Sequence, residues 1–354
     1  MAEIMERKKK NNITKWLGIV SLAVVLCAGV FTYMVVKRLK DPRIFGMYNA
    51  GKGWIYVFPE SSWDDVSRSI TELYSVKYPS LLPYLHLISD TPSPSVGAYT
   101  IHPSESLESI SKRIGKGEQD QVSLTLPLDR LTGDTERVLA KYLMYKKDEY
   151  RDALRDRELI QSLNIQDTTL LNHILPGEYT LFWNTSPKEV VTMLVKRYEE
   201  FWSKERLDRA ESLGLTPFEV RILASIVSLE SRYQPELATI AGLYLNRLRL
   251  GMPLQADPTI IFAHQDYSIV RVLKKHLEID SPYNTYKNRG LPPTPICVPS
   301  QEAMEAVLNA QSHNFLYMCA DSDFSGKHIF AADYATHLKN ARLFQEELNK
   351  RGIK

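Results

Sequence analysis

The chain has 354 residues, 44% of them apolar and 24% charged, with a formal net charge of +2. Charge so evenly balanced gives no case for a nucleic-acid partner, and the length suffices for a membrane anchor plus about two ordinary domains. No zinc-ligand spacing, P-loop or dinucleotide fingerprint occurs, so neither metal nor cofactor is expected.

At the N-terminus, residues 16–36 form an uncharged run, WLGIVSLAVVLCAGVFTYMVV, of roughly the length that crosses a bilayer as a helix. Arg7, Lys8, Lys9, Lys10 and Lys15 precede it, and Lys37, Arg38, Lys40 and Arg43 follow. The slight basic excess on the first side favours an N-terminus in the cytoplasm. A cleaved signal peptide is the rival reading. The length of the run, and the basic residues that close it in place of a small-residue cleavage site, argue against that. The expectation is a cytoplasmic tail over 1–15, a single transmembrane helix over 16–36, and everything from about Asp41 outside the cytoplasm. Cys27 lies within the apolar run. Cys297 and Cys319 fit either one disulfide or two inert buried thiols, and a domain of this size needs no staple.

Two segments beyond the anchor look alike. Residues 56–70 (YVFPESSWDDVSRSI) and 99–114 (YTIHPSESLESISKRI) each read as aromatic strand, proline, serine cap and short amphipathic helix. Residues 124–143 and 179–194 repeat the theme more loosely. A small α+β front region over 41–205 is expected from such units, and the pattern alone does not say whether it binds anything. From Pro187 to about Gly214 the sequence is helical and charged, with Tyr198, Phe201 and Trp202 as an aromatic face. Leu213-Gly214-Leu215 breaks it, and the C-terminal domain is expected over 206–354.

That domain opens with TPFEVRILASIVSLES (216–231). Thr216 and Glu219 make a capping box with Pro217 at the first helical position. Ile222, Leu223, Ile226 and Val227 recur at helical spacing, and Glu230 falls on the same stripe. A carboxylate held against apolar groups loses hydration and stays protonated nearer neutral pH, the state a general acid needs. The alternative is a helix-end glutamate that reaches water. Pro235 starts a second helix with Leu237, Ile240, Ala241, Tyr244, Leu245 and Leu248 on its apolar face, ending at Gly251. Glu236 sits near its start and is expected to be exposed. The loop GMPLQADPTI (251–260) then offers Gln255, Asp257 and Thr259, and SPYNTY (281–286) offers Asn284, Tyr283 and Tyr286. Polar and aromatic groups on short, proline-stiffened loops suit sugar binding. Asp257, before Pro258, reads by default as a turn residue. His328 and His337 lack acidic or cysteine partners at metal-site spacing and read as hydrogen-bonded structural histidines.

The order ASIVSLES, LYLNRLRLGMPLQADPTIIF, SPYNTY, GLPPTPI and HIFAADYATHLKN resembles the MltG/YceG-like family of endolytic murein transglycosylases. Two departures stand out: Ser228 occupies a position where the family often has glutamate, and residues 175–187 lack an aspartate of the corresponding family element. The resemblance implies a LysM-like front region, an α+β catalytic domain, Glu230 as the catalytic acid, and substrate contacts from Asn246, Gln255, Asp257, Asn284 and Tyr286. It implies peptidoglycan glycan strands as substrate, peptidoglycan synthases as partners, and a bacterial cytoplasmic membrane with the catalytic domain outside. Single-acid chemistry using the substrate's own acetamido group would give a lyase. Two readings stand beside it: a muramidase with Asp257 as base, and a catalytically silent module that binds glycan and recruits synthases.

Overall fold

We describe a computed structural model of the chain, covering residues 2–47, 53–102, 104–128, 133–165 and 169–351. It is a mixed α+β protein led by one apolar helix, α1 (Ala2–Leu39). The part of α1 from Trp16 to Leu39 is long and apolar enough to cross a membrane, running three residues past the end read from sequence. Two compact units follow from the chain trace: residues up to Val122 with Phe182–Asn184, and Ser123–Leu181 with the chain from Thr185 onward.

In the first unit, β1 (Phe45–Met47) pairs antiparallel with β3 (Tyr74–Val76), and β2 (Ile55–Val57) pairs antiparallel with β4 (Gly97–Tyr99). The two strand–cap–helix repeats read from sequence are both present. Ser62 caps α2 (Trp63–Leu73) by accepting from the Asp65 amide, and Ser106 caps α4 (Leu107–Lys116) by accepting from the Ser109 amide. Each satisfies one of the donors that a helix start leaves free. Between them lies the short α3 (Leu85–Ile88). The strands' inward residues Ile55, Val57 and Tyr99 meet Val66, Ile70, Ile110 and Ile114 of the helices in one core. At its edge Arg113 bridges Glu105 at 3.0 Å and Asp120 at 3.2 Å.

The second unit holds two cores. In the first, β5 (Gln121–Leu126) pairs with β6 (Gly177–Phe182), beside α5 (Asp134–Tyr142), α6 (Lys147–Leu154) and α7 (Arg157–Ser162). Ser186 caps α8 (Pro187–Phe201) with a full capping box. The helical stretch read as continuous from Pro187 divides at Trp202, and α9 (Lys204–Ser212) follows. α8 serves both cores: Val190, Val191, Leu194 and Val195 face the first, Tyr198 and Phe201 the second.

The second core is built on α10 (Pro217–Glu230), whose Thr216–Glu219 capping box is present as read. Every residue from Val220 to Val227 is buried, so the helix is enclosed all round and not along one stripe. α11 (Leu237–Arg249), α12 (Asp257–His264) and α13 (Gln301–Leu308) pack on it. An antiparallel hairpin, β7 (Tyr317–Ala320) and β8 (His328–Ala331), leads into α14 (Tyr334–Lys350). Arg221, fully buried on α10, donates to the carbonyls of Ile174 and Leu171 at 3.1 and 3.2 Å.

Candidate active site

Glu230 is the last residue of α10, and Ser231 leaves the helix in an extended conformation. The helix end is fixed along its length by polar contacts to the 296–300 segment. Ser225 Oγ accepts from the Ile296 amide at 3.0 Å, and Ser228 Oγ accepts from the Ser300 amide at 3.2 Å. Cys297, a buried thiol, donates to the Ser225 carbonyl at 3.4 Å. Ser228, where the resembled family often carries glutamate, is thus an anchoring residue.

Glu230 borders a cavity of about 250 Å³ whose other walls come from α11 (Leu243, Tyr244, Arg247), the loop before α12 (Leu254, Gln255), the first residue of α12 (Asp257), Tyr286, and the hairpin (Met318, Cys319, Ala320, His328). Tyr244 and Arg247 are one helical turn apart, so α11 presents both to the same side. The Tyr244 hydroxyl donates to Glu230 Oε1 at 2.5 Å. Burial pushes the Glu230 carboxyl up to about 7; the Tyr244 hydrogen bond and the Arg247 charge oppose that, and the Asp257 charge adds to it. Loss of hydration therefore outweighs the two stabilising neighbours. Arg247 reaches around the cavity floor, donating to the carbonyls of Leu316 at 2.6 Å and Leu254 at 2.6 Å. Its buried guanidinium ties α11 to the α12 loop and to the entry of β7.

The other site residues divide between the cavity and the framework. Gln255 lines the cavity with left-handed backbone (φ 52°), its amide donating to the Thr285 carbonyl at 3.0 Å. Asp257 is not held within a turn before Pro258: it opens α12 and turns its carboxylate to the cavity, where the Tyr286 hydroxyl donates to it at 2.5 Å. Burial of its surroundings pushes its carboxyl upward, although the residue still meets solvent. Tyr286 is thereby a cavity residue, whereas Tyr283 packs on Phe262 with ring centroids 4.8 Å apart.

Asn284 and Asn246 take framework positions. Asn284 is fully buried; its amide nitrogen donates to the carbonyls of Leu277 and Ile279, and its oxygen accepts from the Tyr286 amide at 3.0 Å. It shapes the loop that carries Tyr286. Asn246 lies away from the cavity wall, with its amide nitrogen on the carbonyls of His313 at 2.8 Å and Phe315 at 3.1 Å. Thr259, also fully buried, shares its hydroxyl with Thr285 at 2.8 Å.

Two cavity groups, and the partner of a third, escape sequence reading. Tyr244 sits among the apolar residues of α11, and only its polar tip marks it. Arg247 has no signal beyond its place in the LNRL motif. Glu236, expected to be exposed, is 7% exposed and pairs with the His328 ring at 2.8 Å. His328 does have an acidic partner, ninety-two positions away in sequence, where spacing rules cannot find it. Among the described residues, no group of three or more His, Cys, Asp or Glu is placed to hold a metal ion. A single carboxyl poised near neutral pH, held by a tyrosine at a polar cavity, can serve as a general acid and then as a base.

The profile of the YceG-like family matches residues 55–343. An endolytic murein transglycosylase of Streptococcus pneumoniae is 26% identical over 353 residues, taking in 91% of this chain and 63% of the relative. One from Bacillus subtilis is 33% identical over 174 residues, 48% of this chain and 46% of the relative. The chain thus spans less than two thirds of the length of these relatives. The crystal structure of a YceG-like protein from Listeria monocytogenes superposes with a TM-score of 0.56 at 25% identity, covering 82% of this chain and 99% of that one. With a family match that takes in the strand–helix repeats, Glu230, the α12 loop and the hairpin alike, the chain belongs to the YceG-like family.

Proposed function

We propose that the protein is a membrane-anchored endolytic lytic transglycosylase that cuts peptidoglycan glycan strands between N-acetylmuramic acid and N-acetylglucosamine and leaves a 1,6-anhydro end. The observation that carries this reading is the state of Glu230, a carboxyl raised to about 7 at the wall of a polar cavity. Near pH 7 it is about half protonated, so one group can deliver a proton and later remove one. Tyr244 occupies Oε1, which leaves Oε2 to face the glycosidic oxygen. Protonated Glu230 gives its proton to the leaving oxygen as the bond to C1 breaks, and the substrate's neighbouring acetamido group shares the positive charge at C1. Glu230, now a carboxylate steadied by Tyr244 and Arg247, takes the proton of the muramoyl C6 hydroxyl, whose oxygen bonds C1 and closes the ring. Atoms balance without water, so the reaction is a lyase reaction. Gln255 and Tyr286 are placed to hold the sugar, and Asn246 and Asn284 support it by holding the walls.

The test is mass analysis of the ends released from purified glycan strands. Transglycosylation gives fragments lacking one water relative to hydrolysis and resistant to borohydride. Reducible ends as the main product would sink the reading. They would promote a muramidase, which one observation favours: Asp257 shares the Glu230 cavity and could activate water. Loss of hydrolysis on Asp257→Asn, with folding intact, would then identify the second carboxylate.

The same reading places 1–15 in the cytoplasm, 16–36 in the cytoplasmic membrane and the remainder outside, with 41–205 as a LysM-like front region and 206–354 as the catalytic domain. Peptidoglycan synthases are the partners it implies, and limiting glycan-strand length the task.

A further inference from the structure

Glu236 and His328 have no part in the proton transfer assigned to Glu230, yet His328 lines the same cavity and Glu236 pairs with it. Glu236 commits both carboxylate oxygens to one residue: Oε1 meets the ring Nδ1 at 2.8 Å, and Oε2 accepts from the His328 main-chain N–H at 3.0 Å. An ionised carboxylate only accepts, so Nδ1 carries a proton toward it, and in the tautomer with that single proton Nε2 is the ring's acceptor. Ring and backbone are fixed together at the first residue of β8, directly across from Ala320 of β7, and both residues line the cavity. A buried carboxylate is costly unless it is paired, and here its partner is an imidazole 17% exposed. It is well suited to holding one in a single orientation at a site, because a fixed acceptor loses little freedom on binding. The carboxylates at this cavity already receive tyrosine hydroxyls. Through Nε2 that tautomer of His328 offers an acceptor beside them.

Resting on the transglycosylase reading, we propose that His328 is a substrate-binding residue that accepts a hydrogen bond from a glycan hydroxyl through Nε2, with Glu236 as the residue that positions it. Two isosteres separate the ring's two edges. Asparagine puts an amide nitrogen near the place of Nδ1 and nothing at Nε2; glutamine puts a polar atom near Nε2 and gives up the Nδ1 donor.

The experiment is equilibrium binding of a purified glycan-strand oligosaccharide to the full-length protein carrying Glu230→Gln, in which cleavage does not interfere. Adding His328→Asn should weaken binding about tenfold, roughly one lost hydrogen bond at a site, with the melting temperature nearly unchanged because Glu236 keeps its side-chain partner. His328→Gln should keep binding within about threefold of the parent while melting lower. Glu236→Gln should weaken binding by itself and add nothing in the His328→Asn background, the non-additivity expected when one residue acts through the other. Unchanged binding by a folded His328→Asn protein overturns the assignment, as does equal loss in the Asn and Gln variants. Additive losses for Glu236 and His328 overturn the positioning role. A wild-type protein that neither binds nor cleaves the oligosaccharide overturns the transglycosylase reading itself, a result distinct from all of these.

Discussion

At the scale of single residues, Glu230 sets function against stability. Its folded pKa of about 7 lies above the ordinary glutamate value of 4.5, so between those pH values the folded chain holds a proton that the unfolded chain has lost. Stability therefore falls as pH rises through that window and levels off above it. Glu230→Gln removes the slope: at pH 8 it should stabilise the protein by about 1–3 kcal/mol, discounted because the side chain reaches the cavity. The same variant should lose glycan cleavage by about 10²–10⁴-fold, the usual worth of a general acid–base group. Melting curves at pH 5 and pH 8, set beside turnover, check both; retention of more than about a tenth of wild-type activity would rule out Glu230 as the acid. Tyr244→Phe removes a hydrogen bond that lowers the Glu230 pKa, so the pKa should rise and the alkaline limb of the pH–rate profile should move to higher pH. An unmoved limb would mean that Tyr244 does not tune the acid. The place of Glu230 at the end of α10 was legible from the cap that starts the helix, but a single apolar stripe was not, because α10 is enclosed all round. Tyr244 and Glu236 were not, because each is marked only by a tertiary partner.

Among the elements, α11 organises the site. One face carries Tyr244 and Arg247 to the cavity, and another docks the chain leading into β7. On that second face the Ala238 carbonyl accepts from the Gln311 amide at 3.0 Å, and the Thr239 hydroxyl donates to the Gln311 side chain at 2.6 Å. The Asn246 amide follows two turns later on the carbonyls of His313 and Phe315. Gly242 lies between these contacts because a Cβ there would stand 2.3 Å from the Gln311 carbonyl oxygen. Backbone cannot yield as a side-chain tip can, so Gly242→Ala should destabilise the protein by about 1–3 kcal/mol and lower activity by displacing β7. A melting temperature equal to wild type would show that the 311–316 segment is not packed against α11. Asn246 reads from sequence as a substrate contact, and its sequence surroundings could not tell that from the backbone clamp it forms. The strand–cap–helix units were legible from Ser62, Ser106 and Ser186, since capping is a local signal. The β7–β8 hairpin was not, because its strands are short and the helix that packs on both, α14, follows them in the chain.

For the whole molecule the open question is what surrounds α1. Trp16–Leu39 spans 24 residues, about 36 Å at the rise of an α-helix, somewhat more than the ~30 Å of bilayer hydrocarbon, which a modest tilt accommodates. Its apolar side chains are uncovered, with Trp16 69%, Leu22 63%, Val25 67% and Phe31 65% exposed. At about 25 cal/mol per Å² of apolar surface, a helix so bare in water is strongly unfavourable, and lipid is the surrounding that removes the penalty. The full-length protein should therefore sediment with membranes and resist extraction by high salt or alkaline carbonate, yielding only to detergent. Deleting residues 2–39 should release a soluble protein. A reporter fused after Lys354 that works only outside the cytoplasm should be active, and the purified protein should retain residues 1–15. Salt extraction alone would mean surface attachment through the basic residues that flank the run. A purified chain beginning after Val36 would instead make α1 a removed signal and leave the rest of the chain free of the membrane, so that the proposed glycan cleavage would not be confined by a tether.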